Sequence, residues 1–312
     1  MKINEINSEQ KVELKALISK CDKGKTAKDT PYLSLVLEDS TGQLDAKFWN
    51  LTNEQIEQFH VGQIVQVFGD SIIHKNAVQL RVRKLVVLEN ECVSDYTRQG
   101  PMTRQEMEDE VESLLESISD ENVYLVVQTL LDECKEEYFT YPAATRNHHN
   151  FVGGLAYHSI CMARLAKKVC EQYAWLDVSL LVAGALIHDI GKVDELSDPV
   201  LPEYTNAGNL LGHISIMNNR LDRVVQRLGL DECESILLLK HMVLSHHGKL
   251  EFGSPVLPMI PEAEVLTLLD NLDARMFMMK ESLDATMPGH FGPRVFALEG
   301  RMIYRRKEEE KE

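Results

Sequence analysis

The chain has 312 residues, 44% of them hydrophobic and 26% charged, which is enough apolar material for two domains and excludes an unfolded or low-complexity protein. Its formal net charge of -16 excludes a uniformly basic nucleic-acid binder, because phosphate binding is driven by clustered lysine and arginine. Six cysteines scattered without a CxxC pair exclude a zinc ribbon and a disulfide framework.

Much of the acid lies in residues 106–137 and 307–312, which leaves room for a locally positive surface elsewhere. No charged-then-apolar leader opens the sequence and no apolar run is long enough to span a bilayer, so a reducing cytoplasm and no membrane partner are expected.

From residue 11 to about 89 the pattern alternates with period two, broken by turn residues. Residues 32–39 and 43–49 flank Ser40-Thr41-Gly42 as a hairpin. Further strands are expected at 64–68, 71–74 and 78–87, with Gly69-Asp70 and Lys75-Asn76 as turns and a short helix at 53–59. About five strands with a helix between the third and fourth resemble an OB-fold of the nucleic-acid-binding type. Tyr32, Phe48 and Trp49 are the candidates for stacking on bases. Lys23, Lys25, Lys28, Lys47, Lys75, Arg81, Arg83 and Lys84 are candidates for following a phosphate backbone, although aromatics in barrel strands are commonly core and scattered lysines commonly solvation.

Residues 91–102 lose periodicity and carry Gly100-Pro101, which marks a linker between a barrel domain at 1–90 and a helical remainder. Thr103 with Glu106 is a capping box. It opens a helix with apolar residues at Met107, Val111, Leu114, Leu115 and Ile118, and a second helix is expected over 121–138, so 103–140 reads as connecting helices. Residues 141–300 read as an almost wholly helical, ligand-rich domain, and 301–312 as a charged tail.

Within that domain, the apolar helix 183–187 ends on His188-Asp189. Burying an ionised carboxylate is unfavourable by several kcal/mol unless a cation or hydrogen bonds compensate, so the pair asks for a metal, a partner or an exit to solvent. Imidazole nitrogen with carboxylate oxygen suits a divalent ion such as manganese, iron, cobalt or zinc. His158, His213, His246, His247 and Asp270 fall at or near helix ends or in helices that a bundle would bring together.

The ordered series His158, His188-Asp189, His213, His246-His247, Asp270 resembles the HD-domain metal-dependent phosphohydrolases. With the barrel ahead of it, and with His148-His149-Asn150-Phe151-Val152-Gly153-Gly154-Leu155 and Ser245-His246-His247-Gly248-Lys249-Leu250-Glu251-Phe252-Gly253-Ser254-Pro255, the sequence is similar to the YhaM family of bacterial 3′-to-5′ exoribonucleases. The resemblance implies a multi-domain α and β protein, an N-terminal OB-fold β-barrel followed by an all-α HD-domain helical bundle. It implies hydrolysis of single-stranded RNA, or single-stranded DNA, to nucleoside 5′-monophosphates by a metal-activated hydroxide, and a homo-oligomer.

It also implies two divalent ions, manganese first, with cobalt, iron, magnesium or zinc as alternatives. His158, His188, Asp189 and Asp270 would hold one, and Asp189 would bridge to a second held by His213, His246 and His247. Lys192 and Arg275 are the catalytic candidates beside Asp189, each to meet a phosphate oxygen; for Lys192 a surface ion pair is the competing reading. His148 and His149 would line the substrate entrance or act structurally. A cyclic-dinucleotide or other nucleotide phosphodiesterase, and a non-catalytic nucleic-acid binder with a degenerate HD domain, are the alternatives.

Overall fold

A computed structural model describes residues 1–98, 100–145 and 149–307. The chain forms two compact units, one of Met1–Gln99 with Met278–Glu312, the other of Gly100–Phe277.

The first unit is built on a closed five-stranded barrel. Strands β1 (Lys11–Lys25), β2 (Pro31–Asp39) and β3 (Gly42–Phe48), the one-turn helix α1 (Asn53–Ile56), then β4 (Ile64–His74) and β5 (Ala77–Val87) close in the order β1-β2-β3-β5-β4. All neighbours are antiparallel except β3 and β5. Alternation puts Val12, Leu14, Ala16 and Ile18 of β1, Leu33, Leu35 and Leu37 of β2, and Leu80 and Val82 of β5 into one apolar core. This is the expected OB-fold barrel.

Two turn expectations meet different fates. Lys75 and Asn76, with φ of 50° and 64°, form the tight β4–β5 turn, the left-handed pair that matches the twist of a hairpin. Gly69-Asp70 is not a turn: β4 runs through it, with the register shifting between Phe68 and Gly69 as a bulge. A Cβ at Gly69 would lie 2.5 Å from the Arg81 carbonyl oxygen, so the glycine permits a close strand approach.

The C-terminal stretch also departs from expectation. Phe291–Val295 (β6) and Arg301–Tyr304 (β7) pair as a two-stranded sheet, where a tail was expected from 301. The segment is tied to the barrel by the Ala77–Thr286 bridge and by Asn76 Nδ2 donating to the Phe291 carbonyl at 3.0 Å. Alternation over so short a pair is interrupted by Gly292-Pro293, which hides it from a periodicity reading.

The second unit is helical. Its elements are α2 (Arg104–Leu115), α3 (Glu121–Glu133), α4 (Lys135–Tyr138), α5 (Gly154–Gln172), α6 (Val178–Ile187), α7 (Lys192–Glu195), α8 (Asn206–Leu228), α9 (Glu234–Ser245) and α10 (Pro261–Asp284), the last continuing beyond this unit's Phe277 boundary. The Thr103–Glu106 capping box is formed. The single helix expected over 121–138 breaks at Cys134, whose backbone leaves the helical region at φ −134° and ψ 30°. Residues of α2 and α3, read from the sequence as connecting helices, share one core with α5, α6, α8 and α9.

Candidate metal centre

Helix α6 is apolar on every side, and each residue from Ser179 to Ile187 is buried. It therefore runs through the middle of the helical core, and its C-terminal end delivers His188 and Asp189 into the interior rather than to solvent. The fully buried Tyr138 donates its hydroxyl hydrogen to the Leu186 carbonyl at 3.0 Å, serving one of the carbonyls that a helix end leaves without a partner. The chain then turns through Gly191, where a Cβ would lie 2.2 Å from the His213 carbonyl oxygen. Only glycine lets this turn abut α8 so closely.

Four other helices supply the remaining donors. His158 lies within α5 and Asp270 within α10. Helix α8 is kinked at Gly212, with φ 72° and ψ 153°, and His213 follows the kink with its backbone N–H donating to Glu195 Oε1 at 3.0 Å. His246 and His247 follow the end of α9, where Gly248, at φ 72°, turns the chain away.

These side chains converge in two sets. The Nε2 atoms of His158 and His188 lie 3.9 Å and 3.3 Å from Asp189 Oδ2, and His158 Nε2 is 3.3 Å from Asp270 Oδ1. The Nε2 atoms of His213 and His246 lie 3.5 Å and 3.7 Å from the other oxygen, Asp189 Oδ1. His158, His188 and Asp270 thus form one group of donor atoms within 4.8 Å of one another, and His213, His246 and His247 form a second. Ligands about 2.0–2.1 Å from a shared ion lie about 3–4 Å apart, so separations of this order allow these His and Asp clusters to hold a divalent cation.

The electrostatics fit the same group. Nε2 of His188, His213 and His246 and Oδ1 of Asp189 are buried and make no hydrogen bond among the described residues. Such atoms are costly unless something coordinates them. Burial, reinforced by His188 and His247, holds the His246 imidazole well below its ordinary pKa, and burial with His213 lowers His247, so both rings carry the neutral lone pair that a metal needs. Burial would raise the Asp189 carboxyl, but Lys192, His188 and His213 outweigh it and hold it well below the usual range. At His158 burial opposes the charged form, yet hydrogen bonds to Asp270 and Asp273 win and raise it to about 9, so without a cation the ring holds a proton on Nε2 that a bound cation would have to displace.

Residues 155–275 match the family model of the HD domain. The helical unit therefore carries an HD-domain match over its donor series, which indicates a metal-dependent phosphohydrolase. Residues 12–88 match an OB-fold nucleic-acid-binding domain. Together the two matches suggest a nucleic-acid phosphodiesterase. Among solved structures, a domain of replication protein A from Methanococcus maripaludis is 22% identical, covers 28% of this chain and 94% of its own, and gives a TM-score of 0.25. The protein priB from Ralstonia solanacearum is 13% identical, covers 25% of this chain and 97% of its own, with a TM-score of 0.23. No helix among the described residues is long and apolar enough to cross a membrane.

The remaining expected residues are placed unevenly. Lys192 is not on the surface: its Nζ donates to Asp189 Oδ2 at 2.6 Å inside the HD-domain cluster. Arg275 lies five positions beyond Asp270 on α10, about 140° around the helix, and so is carried on a different flank. His149 is buried, its Nε2 2.6 Å from Asp273 Oδ2 and its ring 4.3 Å from that of Phe277. His148 lies outside the described residues.

In the barrel, Tyr32 and Trp49 stack with centroids 4.5 Å apart, and Lys47 Nζ stands 5.5 Å over the Tyr32 ring while donating to Ser34 Oγ at 2.6 Å. The Tyr32 ring lies across Gly24, where a Cβ would come within 2.5 Å of it. Phe48 packs instead against the barrel core, its ring 6.1 Å from Phe59. Several of the expected phosphate contacts already have acidic partners: Lys23 pairs with Glu57, Lys25 with Asp29 and Arg83 with Asp70.

Two residues close to the cluster escaped the sequence reading. Asp273 Oδ2 is 2.7 Å from His158 Nδ1, and Glu195 Oε1 is 3.1 Å from His213 Nδ1. The one available signal was spacing, since Asp273 follows Asp270 and Glu195 follows Lys192 by three residues, a single helical turn.

Proposed function

We propose that this chain is a metal-dependent 3′-to-5′ exoribonuclease of the YhaM type, releasing nucleoside 5′-monophosphates from single-stranded RNA. The observation that carries the reading is Asp189, whose two oxygens face two separate sets of nitrogen donors. We assign His158, His188 and Asp270 to one ion, His213, His246 and His247 to the other, and manganese as the metal in both. Bound there, the two ions would generate a nucleophile from water at neutral pH and neutralise charge on the phosphoryl oxygens. The protein's own part is positional. Asp189 fixes the spacing between the two donor sets, and the buried Lys192 ammonium supplies a fixed positive charge beside them, suited to an anionic phosphate.

The outward face of β2, β3 and β5 supports a single-stranded ligand. Ser34 pairs across to Lys47 and Lys47 to Arg81, placing these polar groups beside the Tyr32–Trp49 stack. Aromatic faces with neighbouring cations accept any base and track its phosphate. A homo-oligomer is supported by Leu268, Leu272 and Met276, exposed at every fourth position along α10.

The test is product analysis on end-labelled single-stranded RNA with Mn2+, with Mg2+ and with chelator. Stepwise shortening from the 3′ end, dependent on the metal, with a circular RNA left intact, is the expected result. Cleavage of the circle at the rate of its linear form contradicts the exonuclease reading. Hydrolysis of cyclic dinucleotides without any shortening of RNA would assign the centre to another phosphodiesterase.

A further inference from the structure

The histidines of the cluster are oriented in two different ways. His188 and His246 turn their Nδ1 atoms to carbonyls of their own helices, Ala185 at 3.0 Å and Val243 at 2.7 Å, and His247 turns its Nδ1 to the Phe252 carbonyl at 2.7 Å. His158 and His213 turn theirs to carboxylates, Asp273 at 2.7 Å and Glu195 at 3.1 Å. Each set of donors therefore contains one imidazole backed by an anion. A carboxylate accepting the Nδ1 proton fixes the tautomer with the Nε2 lone pair inward, locks the ring plane and makes the ring a stronger donor than a carbonyl partner does.

Both carboxylates are themselves held. Asp273 Oδ2 also lies 2.6 Å from His149 Nε2, and the His149 ring is packed against Phe277 and Phe151. Glu195 accepts the His213 backbone N–H as well as its ring, so one carboxylate fixes both the side chain and the main chain at the Gly212 kink. Their side chains are only 13% and 10% exposed, and a buried carboxylate is retained at such positions only where its partners compensate.

We propose that Asp273 and Glu195 are positioning residues, one for each half of the metal centre: Asp273 sets His158 for the ion shared with His188 and Asp270, and Glu195 sets His213 for the ion shared with His246 and His247. The inference rests on the two-ion reading above and adds that the two affinities are controlled separately, by residues that touch neither ion.

The experiment is calorimetric titration of the metal-stripped, full-length protein with MnCl2, with thermal unfolding by circular dichroism as the fold check. The wild type is expected to show two binding events. Asp273→Asn and Glu195→Gln, which keep shape and remove charge, are each expected to weaken one event by about 10–100-fold, a different one in each variant, and to leave the other within a few-fold. The double variant loses both. His149→Gln, which loosens Asp273 and removes a ring 5.4 Å from that of His158 while leaving the His158–Asp273 pair in place, is expected to weaken the Asp273-dependent event by a smaller factor, and Glu195→Asp to recover part of the Glu195 loss. Variants that fold and bind both ions as the wild type does, or that weaken both events equally, overturn the inference. So does a third event abolished by His149→Gln, because His149, His158 and Asp273 would then be an ion site of their own. A wild type with fewer than two events overturns the two-ion reading itself, before any variant is compared.

Discussion

At the scale of residues, the account turns on Asp189, a buried carboxylate shared by four imidazoles and one ammonium. Asp189→Ala is expected to abolish hydrolysis and to lower bound Mn2+ with it, since each donor group keeps its other ligands. It also strands the Lys192 ammonium, and an orphaned buried charge destabilises by about 3–5 kcal/mol. Asp189→Ala/Lys192→Met should therefore melt higher than Asp189→Ala alone while remaining inactive, a difference read by thermal unfolding. Equal melting of the two would mean that Lys192 finds another partner. The proposed donors could be singled out in the sequence because His188-Asp189 ends an apolar helix and the other histidines and Asp270 form an ordered series around it, His158 and Asp270 within helices and His246-His247 just past one. Asp273 and Glu195 could not, because a carboxylate one turn from a charged neighbour looks the same whether it backs a histidine or faces water. Lys192 was singled out in the sequence, but its pairing with Asp189 became clear only once the turn after Asp189 was seen to fold it inward.

At the scale of elements, the turn between α6 and α7 meets α8 at a contact that admits no side chain. Gly191→Ala would place a methyl 2.2 Å from the His213 carbonyl oxygen, on backbone that cannot yield locally. Overpacking of this kind costs about 1–3 kcal/mol. Because the displaced backbone carries His213, the ion assigned to His213, His246 and His247 is expected to bind more weakly, by at least about tenfold, while the ion assigned to Asp270 is less affected. Calorimetry resolves the two. The Thr103–Glu106 cap, with Thr103 N–H donating to Glu106 Oε2 at 2.7 Å, could be read from four residues alone. The Gly69 bulge could not, since a glycine followed by an aspartate spells a turn, and only the partner strand shows that β4 continues. The break at Cys134 was likewise invisible, because the apolar spacing of α3 runs on into α4.

At the scale of the whole molecule, the chain is a barrel unit completed by its own C-terminal segment and a helical unit holding the donor cluster. The sequence showed both architectures through their different periodicities. It did not show that residues after 277 return to the barrel, because a hairpin of five and four residues is too short for alternation to register. If the Tyr32–Trp49 stack receives a base, Trp49→Ala should weaken single-stranded RNA binding by about 1–3 kcal/mol, roughly 5- to 150-fold, as read by fluorescence anisotropy. Hydrolysis of a nitrophenyl phosphodiester, which offers no second base, should be much less affected. Unchanged RNA affinity would remove this face from substrate handling. The central claim, two divalent cations bridged by Asp189, is tested most directly by anomalous diffraction from crystals grown with Mn2+. Two peaks, one against each Asp189 oxygen, with His158, His188 and Asp270 around the first and His213, His246 and His247 around the second, are the expected result; a single peak, or peaks that do not touch Asp189, would contradict it.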